Sequence, residues 1–206
     1  MESTPSSFAG YFDAQFARDA DPWRYRTSWY EARKRALTLA ALPRDRYRRA
    51  FEPGCATGEL SAALAPRCEA LLCADFAPRA VQIARLRLAA FEHVRVERLA
   101  IPDEWPIGRF DLIVVSEIAY YVGEAGCPAL AALATSTLEA DGTLVCCHWR
   151  HGGEAWMLDS GDVHDIFASQ AQRAALHRVV HTEDADFLLD VWSADPLSVA
   201  RRERGR

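Results

Sequence analysis

Residues 51–58 have the sequence FEPGCATG, in which Glu52 precedes two glycines, Gly54 and Gly58. A strand predicted over residues 49–52 leads into this segment, and a helix predicted to reach about Ala65 follows it. Glycine at such a turn lets a ligand approach the backbone closely. The spacing differs from the GxGxxG of dinucleotide-binding turns, which argues against a nicotinamide dinucleotide. Taken alone, the segment also fits a plain tight turn.

The rest of the chain alternates between strand and helix patterns. Strands are predicted at 70–74, 94–99, 111–116 and 143–149, and helices from 78, at 125–138 and briefly after a cap at Asp162, with a turn at 141–142. The run DLIVVS at 111–116 is typical of a central parallel strand covered on both faces. Residues 176–181 and 186–192 alternate apolar and polar residues, which predicts a hairpin. Together they predict an α/β fold: a doubly wound, mostly parallel seven-stranded sheet with an antiparallel C-terminal hairpin.

A helix is predicted over residues 29–42, after an aromatic segment DPWRYRTSWY at 21–30. Ser28 can cap this helix, Glu31 completes a capping box and Pro43 ends it. Periodicity predicts that its inward face carries Trp29, Ala32, Ala36, Leu39 and Ala40.

The chain has 206 residues, which fits a single domain. We expect residues 1–42 to form an N-terminal helix or lid and residues 43–200 to form the core. The first few residues and the polar tail at 201–206 are predicted to be disordered, because they have little apolar surface to bury. Oligomeric state stays open at this stage.

Composition and charge limit the partners. The formal net charge is −5, which argues against nucleic acid. No apolar run is long enough to span a bilayer, and the first residues lack a signal pattern. The six cysteines lie mostly in apolar runs, as expected for reduced core residues of a cytoplasmic protein. His148, His151 and His164 match no closed zinc pattern, so no metal is predicted.

Further candidate residues follow the strands that lead to the same sheet edge. Asp75 could accept hydrogen bonds from both hydroxyls of a ribose, with a helix cap as its alternative, and Phe76 could pack on an adenine. Ala100 and Ile101 follow the next strand, where adenine recognition would depend on main chain or on Asp103. Ser116 and Glu117 follow DLIVVS.

The acidic residue and glycine turn resemble the acidic-GxGxG motif of class I S-adenosylmethionine-dependent methyltransferases, with Ala56 at the middle glycine. The segments DPWRYRTSWYEARK, EPGCATG, FDLIVVSEIAYY, CHWR and GDVHD resemble the nodulation-factor N-methyltransferase (NodS-like) family over about residues 11–167. The resemblance implies a Rossmann-like class I fold and S-adenosylmethionine as cofactor. It also implies a small-molecule amine acceptor, such as the free amine of a deacetylated amino sugar or chitooligosaccharide.

These residues and the resemblance give a set of expected roles. Glu117 and His148 are the candidates for handling the proton of the amine. Their alternatives are a contact with the methionine amine of the cofactor for Glu117 and a hydrogen-bonded wall residue for His148. The expected cofactor residues are Glu52, Gly54, Cys55, Gly58, Asp75, Phe76, Ala100, Ile101, Ser116, Trp29 and Arg33, and the expected substrate residues are Tyr25, Tyr121, Arg150 and His164.

Other functions stay open on sequence alone. The same fold could methylate a hydroxyl or carboxyl oxygen, and acceptor profiling would separate the two. A non-catalytic S-adenosylmethionine-binding module would bind cofactor without methyl transfer. A nicotinamide-dependent dehydrogenase is disfavoured by the glycine spacing.

Overall fold

The computed structural model describes residues 5–152, 154 and 156–204. Its centre is one seven-stranded sheet in the order β3-β2-β1-β4-β5-β7-β6. The strands are β1 (Tyr47–Pro53), β2 (Cys68–Asp75), β3 (Val94–Arg98), β4 (Phe110–Ser116), β5 (Leu138–Trp149), β6 (His177–Glu183) and β7 (Phe187–Ser193). β1 to β5 pair in parallel, and β7 runs antiparallel to both β5 and β6. The predicted doubly wound sheet with its C-terminal hairpin is confirmed.

Helices cover both faces of this sheet. They are α1 (Pro5–Arg18), α2 (Trp29–Ala40), α3 (Glu59–Leu64), α4 (Pro78–Leu88), α5 (Gly123–Ser136), α6 (Ser160–Arg173) and α7 (Val199–Arg204). Residues of α3 and α4 pack on one face, where Leu64 and Leu88 join the core. Residues of α5 and α6 pack on the other face, where Leu130 and Phe167 join it. Because apolar residues in β4 alternate between these two clusters, the strand is buried on both sides.

The inward face of α2 differs from the prediction. Ser28 caps the helix by accepting a hydrogen bond from the Glu31 backbone N–H, but the Glu31 carboxylate bonds Lys34 instead of closing a capping box. The buried residues of the helix are Glu31, Lys34 and Thr38, whereas Trp29 is 78% exposed. Apolar periodicity predicted that the apolar side of α2 faces inward. In the structure, the polar side faces inward because it forms the wall of a cavity.

Four local predictions differ from the structure. The segment at 141–142 lies within β5, where a register shift against β4 replaces the expected turn. Helix α6 is capped by Asp159, not Asp162, because the Asp159 carboxylate accepts from the Gly161 N–H. Residues 5–18 form a helix that was not predicted.

The fourth difference concerns the tail. Residues 201–204 are helical, and Arg202 bonds Asp195 and the Pro43 carbonyl, so the expected disorder is wrong there. Residues 1–4, 205 and 206 lie outside the described part of the chain. Among the described residues, no helix is long and apolar enough to cross a membrane.

Candidate active site

The turn between β1 and α3 has an unusual backbone. Gly54, Ala56 and Gly58 have φ angles of 72°, 47° and 79°, in the left-handed region. A Cβ atom on Gly54 would lie 2.8 Å from the Ile118 side chain, so the close approach requires glycine at that position. Ala56 adopts the same backbone region despite its side chain, and its N–H donates to the Asp75 carboxylate at 3.0 Å. The turn is thus fastened to the end of the neighbouring strand β2.

Two buried carboxyl groups flank this turn. Asp75 accepts the backbone N–H groups of Ala56 and Ala77, and Glu52 accepts the Ser61 hydroxyl at 2.6 Å. Burial raises the pKa of Asp75 to about 6 in spite of its hydrogen bonds. Burial likewise raises the pKa of Glu52 to about 8, with a smaller contribution from the charge of Asp75. A ligand that brings hydrogen-bond donors or a positive charge would stabilise the ionised form of both carboxyl groups.

A cavity of about 350 Å³ opens at the carboxyl edge of the sheet. Its walls include Asp75, Phe76, the segment from Leu99 to Asp103, Ile118, Tyr121 and Val122. These residues combine apolar walls, on which an adenine ring could pack, with a carboxylate that could accept hydrogen bonds from a ribose. The walls therefore fit an adenosyl group.

A smaller space of about 50 Å³ adjoins this cavity and shares Tyr25, Gly54, Ala56 and Glu117 with it. Its other walls include Glu31, Lys34, Arg35, Glu52, Cys55 and Ser116. Groups of both charges thus surround a space next to the adenosyl-sized cavity. A ligand part that carries an ammonium and a carboxylate, as methionine does, fits this lining.

Lys34 lies at the centre of a buried ion cluster. Its Nζ atom is 3.1 Å from a Glu31 carboxylate oxygen and 2.6 Å from a Glu117 carboxylate oxygen. Burial opposes the charge of Lys34, but the two carboxylates outweigh it and hold the pKa of Lys34 above its usual value. The α2 helix is therefore joined to the end of β4 through one buried cation.

Glu117 faces the junction of the two spaces from a strained backbone. Its φ angle is 58°. Besides Lys34, its carboxylate accepts the Tyr120 hydroxyl and, at 3.2 Å, the Trp149 backbone N–H. A non-glycine residue in this conformation costs free energy and persists because these bonds hold it. The result is a fixed carboxylate at the cavity wall.

Aromatic side chains from the first 25 residues form another part of the wall of the larger cavity. Phe12, Phe16, Trp23 and Tyr25 line the larger cavity. The Phe12 ring lies 5.0 Å from the Tyr121 ring and 5.4 Å from the Phe76 ring, both edge-on. These edge-to-face contacts hold the three rings together as one apolar surface of the cavity. Trp23 and Tyr25 belong to the aromatic segment at 21–30 and thus line the cavity, while the action of residues 1–42 as a lid stays a prediction.

Comparison with known proteins settles the family. The family model described as nodulation protein S (NodS) matches residues 13–180. The chain belongs to the NodS family. Nodulation protein S of Bradyrhizobium diazoefficiens is 34% identical over 145 residues, which cover 66% of this chain and 69% of that protein.

Two solved structures are similar to this chain. A candidate methyltransferase from Pseudomonas syringae is 51% identical, with a TM-score of 0.71 over 81% of this chain and 99% of that chain. The N-methyltransferase NodS of Bradyrhizobium japonicum WM9, solved with S-adenosyl-L-homocysteine, is 24% identical, with a TM-score of 0.74 over 90% of this chain and 97% of that chain. This second likeness shows the class I methyltransferase fold. The NodS-family chain is an S-adenosylmethionine-dependent methyltransferase, as its sequence predicted.

The structure brings most of the expected cofactor residues of this NodS-family chain to the two spaces. Those that line them are Glu52, Gly54, Cys55, Asp75, Phe76, Ala100, Ile101 and Ser116, together with the expected substrate residues Tyr25 and Tyr121. Their binding roles stay predictions. Asp103, the alternative for adenine recognition, lines the larger cavity as well.

Other expected site residues lie elsewhere. Trp29 is exposed, and Arg33 donates to Asp184 at 2.6 Å on the β6–β7 turn. Gly58 faces α4, where an added Cβ would lie 3.3 Å from Ala84. Arg150 bonds Glu183 and the Asp184 carbonyl. None of these four residues lines the two spaces. Trp29 faces solvent, Gly58 packs against α4, and Arg33 and Arg150 bond groups on or near the β6–β7 turn.

His148 and His164 are also away from the cavity. His148 is fully buried, and its Nε2 accepts the Ala119 backbone N–H at 3.2 Å. Burial, and then the neighbouring His164 and Lys34, hold the pKa of His148 well below its usual value. The structure thus favours the wall-residue alternative for His148 over a direct role in proton transfer.

Sequence reasoning missed Lys34, Phe12 and Phe16. Phe12 and Phe16 are four residues apart, the spacing of one helical face, and this signal could have located α1. Lys34 belongs to a polar stripe with Glu31 and Thr38 on the same face of α2. This polar stripe is the signal for Lys34. Once α2 is known to lie beside a cavity, a polar stripe on its inward side indicates side chains that line the cavity.

Proposed function

We propose that this NodS-family methyltransferase transfers a methyl group to a free amine of a small molecule, such as the amino group of a deacetylated amino sugar or chitooligosaccharide. The observation that carries the proposal is the Glu117 carboxylate, held by three donors at the junction of the two spaces. The N-methyltransferase named among its structural relatives supports the choice of nitrogen.

Residues of both spaces would hold the cofactor. Asp75 would accept the ribose hydroxyls, and Phe76 and Ile101 would pack on the adenine. In the smaller space, Glu52 would pair with the methionine ammonium, and Arg35 would pair with the methionine carboxylate. When bound, S-adenosylmethionine supplies an electrophilic methyl group on sulfur.

Glu117 would prepare the acceptor. An amine is mostly protonated at neutral pH and must lose one proton to become a nucleophile. A Glu117 carboxylate oxygen would attract the ammonium and accept that proton, while Tyr25 and Tyr121 would orient the nitrogen along the transfer direction. Phe12 and Trp23 would exclude water from the same space.

The acceptor is tested by incubating the full chain with S-adenosylmethionine and matched sugars. Glucosamine and deacetylated chitooligosaccharides should gain methyl groups on nitrogen, measured by mass spectrometry, whereas their N-acetylated forms should not. Methylation of the acetylated forms would assign an oxygen acceptor and overturn the proposal. Binding of S-adenosylhomocysteine without transfer to any amine or hydroxyl acceptor would instead indicate a binding module.

The role of Glu117 is tested with Glu117→Gln. We expect kcat for the amine to fall on the order of 100-fold, while affinity for S-adenosylhomocysteine changes less than about threefold. The matched control is Glu124→Gln, the same substitution at an exposed position of α5, which should leave both quantities unchanged. Loss of cofactor affinity in Glu117→Gln with kcat preserved would support a contact between Glu117 and the methionine amine instead.

We place the reaction in the cytoplasm. The six cysteines are free and buried, which suits a reducing compartment. Fractionation of the producing cells, with detection of the chain by antibody, tests this placement, and recovery in an exported fraction would contradict it.

A further inference from the structure

A cluster of buried polar side chains lies behind the Glu117 turn. It consists of His148 on β5, His164 on α6 and Asp190 on β7, which are 0%, 5% and 2% exposed. His148 Nδ1 is 3.3 Å from His164 Nε2, and His164 Nδ1 is 2.7 Å from an Asp190 carboxylate oxygen. These side chains are not among those that line the two spaces, so the proposed reaction leaves them unexplained.

The backbone fixes the direction of every hydrogen bond in this cluster. The Ala119 N–H can only donate, so His148 Nε2 must accept and carries no proton. The neutral His148 ring therefore has its proton on Nδ1 and donates it to His164 Nε2. His164 then carries its proton on Nδ1 and donates it to Asp190. One backbone amide thus sets the tautomers of two histidines.

The same direction argues against a metal in this cluster. Cys146 Sγ lies 3.4 Å from His148 Nδ1, and the thiol together with the two imidazoles has the composition of a metal-ligand set. A metal on His148 Nδ1 would move the ring proton to Nε2, directly opposite the Ala119 N–H. Two donors would then face each other in a dry interior, which is costly.

The outer end of the cluster reaches the surface through Asp190. Its carboxylate also accepts from His181 at 2.9 Å, and Arg178 lies 3.6 Å away; both of these side chains are about half exposed. Burial opposes ionisation of Asp190, but the hydrogen bonds from His164 and His181 outweigh it and hold its pKa below the usual range. An ionised Asp190 therefore anchors the cluster.

We propose that Asp190, His164 and His148 form a positioning relay, a line of hydrogen bonds of fixed direction that holds the Ala119 amide in place. Ala119 begins a short helix of three residues, Ala119–Tyr121, which is separated from Glu117 by one residue, Ile118. Within it, Tyr120 bonds the Glu117 carboxylate and Tyr121 lines the larger cavity. The relay therefore sets the place of the carboxylate and of the ring that would meet the acceptor.

Nitrogen NMR of the full chain, labelled at its histidine rings, tests the direction of the relay. We expect His148 and His164 both to carry their proton on Nδ1, the less common tautomer, with each signal assigned by its loss in a His→Gln variant. A proton on His148 Nε2, or one zinc ion per chain in the purified protein, would overturn the proposal. This measurement needs no acceptor, so it stands apart from the proposed function.

Two substitutions of His148 test the positioning role. His148→Gln can place an amide oxygen near the former Nε2 and still accept from Ala119, whereas His148→Asn keeps only a group near Nδ1. We expect the Asn variant to lose on the order of tenfold in kcat and the Gln variant much less, with affinity for S-adenosylhomocysteine unchanged in both.

The kinetic part of this test rests on the proposed function. Equal losses of kcat in the two variants, or a retained kcat in His148→Asn, would show that the Ala119 contact has no special part in catalysis. If neither variant folds, the tautomers of the parent decide, with its ring signals assigned through bonds to the backbone of each histidine. If no acceptor is methylated by the parent, the backbone NMR shifts of Ala119 and Tyr121 replace kcat, and they must change more in the Asn variant than in the Gln variant.

Discussion

Two clusters of charged side chains lie at opposite edges of the parallel sheet. At the carboxyl edge, Lys34 is held between Glu31 and Glu117, and its side chain is 5% exposed. At the amino edge, Arg48 contacts Glu139 and Asp141, and its side chain is 53% exposed. Both clusters join residues distant in sequence, yet their surroundings differ in how much water can reach the charges.

This difference separates the energetic roles of the two edges. Exposed ion pairs are screened by solvent and contribute little to stability. Buried charges lose their hydration, and removal of one partner leaves the others uncompensated. The carboxyl edge therefore keeps charged groups at a cavity at a cost in stability. This is the edge at which open α/β sheets bind their ligands. The amino edge has no such cost, because water reaches its charges.

The largest expected effect comes from breaking the buried cluster. Lys34→Met would leave Glu31 and Glu117 side by side without their cation, and we expect the free energy of unfolding to fall by about 3 kcal/mol or more. Chemical denaturation of the ligand-free chain measures this. An unfolding free energy equal to that of the parent would show that solvent reaches this cluster as freely as it reaches the amino edge.

The next comparison uses two buried aspartates, one at each edge. Asp75 accepts two backbone N–H groups at the carboxyl edge, and Asp111 accepts those of Arg48 and Arg49 at the amino edge. Asp75→Ala should lower the affinity for S-adenosylhomocysteine by about 100-fold, because charge-assisted hydrogen bonds to the ribose are lost. Asp111→Ala should lower stability and leave that affinity within about threefold in calorimetry. Similar affinity losses in both variants would contradict the assignment of the ribose to Asp75.

A smaller effect is expected from pH. Ionised Asp75 binds the ribose better, and its pKa is raised to about 6, so affinity should be present above that value and lost as pH falls through it. We expect Asp75 to contribute a loss of about tenfold between pH 7 and pH 5. Asp75→Asn removes this titration, so the variant should bind weakly and its affinity should fall about tenfold less over this range than that of the parent. An equal pH dependence in the parent and in Asp75→Asn would exclude Asp75 as a group whose ionisation controls affinity.

The raised pKa values of Glu52 and Asp75 make the stability of the fold depend on pH in the opposite direction to cofactor affinity. The folded chain binds protons at Glu52 and Asp75 more tightly than the unfolded chain does, so stability is greatest below their usual pKa values. It should fall as pH rises from the usual pKa of each group up to about 6 for Asp75 and about 8 for Glu52. Glu52→Gln should remove the Glu52 part of this fall, so the midpoint of thermal unfolding should drop less between pH 5 and pH 8 in the variant than in the parent.

The smallest effect belongs to the amino edge. Arg48→Met removes an exposed cation from Glu139 and Asp141, and solvent compensates for its loss. We expect a change in unfolding midpoint well below that of Lys34→Met and an unaltered kcat. A large loss of stability in Arg48→Met would mean that the exposed network acts cooperatively. That result would contradict the difference in energetic role between the two edges.

The fold could be predicted from sequence because its signals are local. The apolar run at 111–116 corresponds to β4, the glycine turn at 51–58 joins β1 to α3, and the alternation in the last hairpin corresponds to β6 and β7. The location of Asp75 and Glu117 at the cavity could be predicted because Asp75 ends β2 and Glu117 directly follows β4, while their roles stay predictions. The family resemblance, carried by short motifs, is also confirmed.

Contacts between distant segments could not be predicted in the same way. The inward face of α2 depends on the charge pairing of Lys34 with Glu117, 83 residues later in the chain. His148 was placed at the cavity because it follows the pattern of a strand end, yet its direction is set by Ala119 and His164. Strand periodicity does not report which neighbour a buried imidazole will meet.

Ala56 bears on how proteins of this kind are found. Its φ angle of 47° reproduces a glycine conformation at a free energy cost, and its N–H still reaches Asp75. A search pattern written as a run of glycines would pass over this chain. A pattern written as a succession of backbone angles with an aspartate at the end of the next strand would include it.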